Sequence, residues 1–117
     1  MLALNKDIPV YIASSPIDFR TSLDSLCMTI ATTWQEDPQK GLYVFYNKHR
    51  NKVKILFWHL NGFVLTYKRL EKGQFFTKFD AKTKMLMISE QELQWLVAGL
   101  DWQLMSAFQP LTFNHYA

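Results

Sequence analysis

Residues 52–70 read KVKILFWHLNGFVLTYKRL, two apolar and aromatic runs that meet at Asn61-Gly62. Asn-Gly between such runs is the strongest short-range signal for a β-hairpin, because both central positions of the favoured turn need positive φ. Strands over 53–60 and 63–70 follow. Alternation at period two puts Lys52, Lys54, Leu56 and Trp58 on one face, and Val53, Ile55, Phe57 and His59 on the other. Past the turn, Phe63, Leu65, Tyr67 and Arg69 share a face, and Val64, Thr66, Lys68 and Leu70 share the opposite one. Each strand is apolar near the turn and basic away from it. The bases therefore collect at one end of the hairpin.

Upstream, 42–46 is aromatic and β-branched and 47–51 is a polar turn. Downstream, Glu71-Lys72-Gly73 makes a turn before a strand over 75–79, and 80–84 leads to another over 85–88. The pattern predicts an antiparallel meander of four to five strands, with 10–13 as a further candidate. Two helices flank it. Leu23, Leu26, Cys27, Ile30 and Trp34 recur at helical spacing, with Asp18 or Thr21 placed to cap the start and Asp37-Pro38 to end it. Ser89 and Glu92 form a capping box before Leu93, Leu96 and Val97, and Gly99 is the expected left-handed terminator. The expected fold is α+β, a meander packed with two helices. It forms a single domain over 1–117, with a compact core at about 9–102 and a loosely packed tail over 103–117.

The 117 residues suit one domain that stands without disulfides, and the single cysteine, Cys27, cannot close one. The first seven residues lack a basic segment followed by an apolar core, so no secretion signal is expected. No apolar run approaches the roughly 18 residues that span a bilayer. The expectation is a soluble, cytoplasmic protein with no membrane association. The net charge of +3 is unevenly spread: residues 1–39 sum to −3, residues 40–84 carry eleven bases against two acids, and residues 85–117 sum to −3. A +9 block between acidic ends creates a local field that attracts anions.

Catalytic constellations are missing. His49, His59 and His115 fall in no metal-ligand spacing, and Cys27 has no cysteine partner for zinc. The four glycines are too scattered to cradle a phosphate in a glycine-rich loop. No enzyme activity, metal, cofactor or small-molecule substrate is expected. The basic block is the informative feature, since phosphate oxygens need such donors and exposed rings of Tyr43, Tyr46 or Tyr67 could stack on bases. The competing reading is a solvated edge whose lysines resist strand-to-strand association.

The order of motifs resembles a known family. Asp18-Phe19-Arg20 with Leu23-Asp24-Ser25-Leu26 is similar to its D-M-R-K-G-x-D-G-L segment, and residues 42–48 to its L-F-V-F-x-N-R/K strand. Residues 54–58, Gly62-Phe63 and residues 67–75 resemble its K-x-L-x-W…G-F-x-L-x-x-K-R-L-E-x-G-x-F core. Gly99-Leu100-Asp101-Trp102 resembles its closing G-I-D-W. The family is the second-reading-frame product of the insertion sequence sixty-six type, often called the TnpB accessory protein and distinct from the RNA-guided nuclease of that name. The resemblance covers roughly 9–102. Thr21-Ser22-Leu23 departs from the usual Lys-Gly-Phe, and His59-Leu60-Asn61 from the usual acidic turn.

What the resemblance implies is an accessory role in DNA transposition beside a separate transposase. Joined to the charge block, it gives a concrete expectation: Lys48, Arg50, Lys52, Lys54, Lys68, Arg69 and Lys72 contact the phosphates of DNA at the element ends. The alternative is a protein adaptor that docks on the transposase without touching DNA.

Overall fold

The computed structural model describes residues 7–108; His115 and the tail's Leu111 and Phe113 lie outside the described residues. Five strands, β1 (Val10–Ala13), β2 (Leu42–Tyr46), β3 (Lys52–His59), β4 (Gly62–Arg69) and β5 (Met85–Ile88), form one sheet in the order β4-β3-β2-β1-β5. The helices are α1 (Leu23–Met28), α2 (Glu90–Val97) and α3 over 102–108. The fold is α+β, and β2-β3-β4 is the expected meander. β1, however, lies parallel to β2 and antiparallel to β5, between them, so the sheet as a whole is not a strict meander. A parallel neighbour needs a crossover, and α1 lies within it.

β1 and β2 are buried at every position, which means both faces of the sheet are covered there. On one face the registers align Tyr11, Tyr43 and Leu56, and beside them Phe45, Lys54 and Tyr67. Trp34 packs on this face, 5.1 Å from Phe45 and 5.9 Å from Tyr43 between ring centres. Gly41 approaches so closely that a Cβ there would meet the Tyr43 ring at 2.7 Å. On the other face, Lys68 reaches α2, and Leu93, Leu96 and Trp102 are buried in the same core cluster.

Local chemistry explains the helix ends. Ser22 caps α1 by accepting from the Ser25 amide, in place of the expected Asp18 or Thr21. Asp18 instead holds Arg20. The helix then widens into a π-helical stretch, Thr29–Thr33, in which the Trp34 amide donates to Thr29 O. Thr29 and Thr32 hydroxyls bond back to Ser25 O and Met28 O, competing for the ladder carbonyls. α2 has the capping box expected of Ser89 and Glu92. Gly99, at φ 81°, closes it in a Schellman arrangement, with Gly99 N on Leu96 O and Leu100 N on Trp95 O.

Two further expectations shift. The hairpin turn falls one residue early: His59 pairs with Gly62, and Leu60, at φ 55°, takes the left-handed position. This register sets Trp58 edge-on to Phe63 and Lys54 opposite Tyr67, whereas a turn at Asn61-Gly62 would set Lys54 opposite Arg69. Residues 75–79 form no strand, although Phe75 and Thr77 are buried. Residues 103–108 of the expected tail are helical and mostly exposed.

Candidate nucleic-acid interface

The open end of the β3–β4 hairpin is built on Asn47. Its Oδ1 accepts from the amides of Asn51 and Lys52, and its Nδ2 donates to Asn51 Oδ1. The turn so fixed exposes Lys48 and His49 and puts Arg50 at φ 57°, a conformation that costs a non-glycine residue about 1–2 kcal/mol. The segment after β4 folds back on the turn. Leu70 N donates to Asn51 O, Gln74 Nε2 to His49 O and Phe75 N to Arg50 O.

The seven bases expected to contact phosphate have different surroundings. Lys48 and Lys72 are exposed and Lys52 half-buried, and among the described residues none of the three side-chain ammonium groups has a hydrogen-bond or ion-pair acceptor. Arg69, directly opposite Lys52, pairs with Glu71 at 3.0 Å, and both side chains are more than half exposed. Such a pair is worth little in water and exchanges readily for another anion. Arg50 is half-buried, its guanidinium 5.9 Å from the centre of the Tyr46 ring. Burial, partly offset by Arg50, pushes the Tyr46 phenol up.

The other two are occupied within the fold. Lys54 Nζ donates to Phe19 O at 2.7 Å and stands 4.6 Å from the centre of the Phe19 ring, which in turn lies 6.1 Å from Tyr67. Lys68 projects from the opposite face of the sheet and donates to Val97 O, a carbonyl in the last turn of α2 where a cation is favoured. The structure thus brings Lys48, Lys52, Arg69 and Lys72 to the open end of the hairpin, with Arg50 in the turn; Lys54 shares the face of Lys52 but is tied to Phe19 O, and Lys68 lies on the opposite face.

The Lys54 contact gives the Asp18-Phe19-Arg20 motif a structural role that the sequence did not disclose. Arg20 N and Nε donate to Asp18 Oδ1 at 2.9 and 3.1 Å, closing a tight loop that presents Phe19 to Lys54. Hydrogen bonds from Arg20 hold the Asp18 carboxyl at about 2, below the usual carboxylate range. Because the folded pKa is the lower one, ionised Asp18 favours the folded state. That contribution is complete above the unfolded pKa of about 4 and disappears as pH falls toward 2. Melting curves of Asp18→Asn and the parent protein should therefore differ at pH 6 and converge near pH 2; a constant offset would refute the link.

Catalytic candidates stay apart. His49 is exposed in the turn and His59 half-buried at the end of β3. Burial, with Asp24 adding to it, pushes the Cys27 thiol up, away from the reactive thiolate. Among the described residues no three His, Cys, Asp or Glu side chains are grouped to hold a metal, and no helix is long and apolar enough to cross a membrane. Thr77 and Lys78 lie beside Arg50 along a cleft, and no sequence signal pointed to them.

Comparison with known proteins adds the following. Residues 8–107 match the family described as IS66 Orf2 like protein. Uncharacterized protein y4jC of Sinorhizobium fredii (strain NBRC 101917 / NGR234) is 31% identical over 103 residues, 87% of each chain. Uncharacterized protein y4hO of the same strain is 29% identical over 104 residues, 88% of this chain and 90% of its own. No solved structure matches significantly.

Proposed function

The chain belongs to the IS66 Orf2-like family, and from that premise we propose that it is a non-catalytic accessory of DNA transposition that grips DNA phosphates with the open end of the β3–β4 hairpin. The family supports the accessory role. The observation that carries the DNA contact is the placing of Lys48, Lys52 and Lys72 at one end of the hairpin, their ammonium groups without acceptors among the described residues, beside the readily exchanged Arg69–Glu71 pair. Contacts of this kind fix a protein on the duplex without reading its sequence.

The test is duplex binding across a salt series. Affinity should fall steeply with salt, and joint reversal of Lys48, Lys52 and Lys72 to Glu should reduce the salt slope by about 3 and weaken binding alike on all sequences. A salt-insensitive interaction would sink the proposal. A second reading, docking on the transposase, is favoured by exposed Leu100, Leu104 and Met105 around α3. A transposase complex that survives nuclease treatment and is lost on polar substitution of those residues would support it.

A further inference from the structure

A cleft of about 620 Å³ opens beside the 47–51 turn, lined by Arg50, Thr77, Lys78, Asp80 and Gln103 among others. Two polar groups on its wall lack partners among the described residues. Thr77 is 2% exposed, and its hydroxyl makes no hydrogen bond to any of them. Arg50 Nε is likewise buried and unbonded, while the same guanidinium reaches Lys48 O only at 3.4 Å. Buried donors without acceptors are costly and uncommon, and they call for an explanation. Asp80 lines the same cleft but forms no ion pair with Arg50 among the described residues.

Arg50 also carries backbone strain. Its φ of 57° is one that glycine adopts freely, yet the position holds the side chain able to fork two N–H groups onto an oxyanion. The opposite wall is held in place by independent bonds. Phe75 N donates to Arg50 O at 2.7 Å, and Trp102 Nε1 donates to Phe76 O at 2.6 Å, which together hold Thr77 against the turn.

We infer that this cleft binds a phosphate group, whose oxygens accept hydrogen bonds from the Arg50 guanidinium and the Thr77 hydroxyl, with Lys78 supplying a second positive charge. Two cations outweigh the one carboxylate of Asp80. The phosphate is either a link of a DNA backbone or a free ion. The inference deepens the DNA reading, on which it rests for the source of the phosphate but not for the chemistry of the site.

The test titrates the full chain with inorganic phosphate and, separately, with a short duplex. Phosphate should raise the melting temperature of the parent protein. Thr77→Val, which keeps shape and removes the hydroxyl, should weaken phosphate binding about tenfold or more, and Thr77→Ser should restore it. Arg50→Gly should abolish phosphate binding while melting no lower than the parent. Without ligand, Thr77→Val should also melt no lower, since the hydroxyl it removes has no partner among the described residues. Failure of phosphate to bind, equal affinity in parent and Thr77→Val, or a drop in the melting temperature of unliganded Thr77→Val would each overturn the site. Duplex binding that needs Lys48, Lys52 and Lys72 but ignores Thr77→Val, with no binding of inorganic phosphate, would overturn the site and leave the DNA reading standing. Phosphate binding that follows these variants, with no duplex binding, would support the site with a free ion as its source and sink the DNA reading.

Discussion

Trp34→Ala should lower the unfolding free energy by about 3–5 kcal/mol, read as a shift of the urea midpoint. A domain of this size has about 5–15 kcal/mol in total, so the variant should sit at or near the limit of folding. The indole is 8% exposed, stacked on Phe45 at an interplanar angle of 22° and tilted at 50° against Tyr43. Its removal leaves a cavity between the π-helical stretch and β2, whose own residues cannot move to fill it, because that strand is central in the sheet. Trp34→Phe should recover a large part of the loss. An unchanged midpoint for the alanine variant would mean that this helix is not seated on the sheet.

Trp102→Ala should cost a similar amount, about 3–5 kcal/mol, but with a different local signature. Trp102 is 2% exposed, meets Phe79 edge-on at 5.7 Å, and its indole N–H occupies Phe76 O. Trp102→Phe keeps most of the packing and leaves that carbonyl unpaired, which should cost about 1–3 kcal/mol. In both variants hydrogen exchange over 75–79 should accelerate more than exchange in β2, since the segment is held by Trp102 rather than by a ladder. Uniform acceleration would assign Trp102 to the general core instead.

The hairpin, α2 and their caps were legible because their signals are local. Asn61-Gly62 marks a turn to within one residue, and Ser89, Glu92 and Gly99 define a helix by chemistry confined to its own ends. The position of β1 was not legible: a short run buried on both faces has the same pattern beside either neighbour, and no residue in it encodes parallel pairing. Residues 75–79 alternate like a strand because they bury every second side chain, yet Phe75 N and Phe76 O bond to Arg50 and Trp102. The charge block was legible as a quantity, and alternation already put Lys68 and Arg69 on opposite faces. Which lysines are spent inside the fold was not, since the acceptors of Lys54 and Lys68 lie 35 and 29 residues away.

The interior position of β1 bears on how the chain assembles as it is made. β1 leaves the ribosome before either of its neighbours, one of which begins at Leu42 and the other at Met85. Until that last strand appears, Val10–Ala13 has one open edge, and the Ser14 hydroxyl lacks its acceptor on Thr83, 69 residues on. The hairpin can form from neighbouring residues alone, whereas closure at β5 must overcome a long loop. Folding should therefore be gated by the late arrival of β5, leaving an unpaired β1 edge on the nascent chain as the point most open to association with other chains.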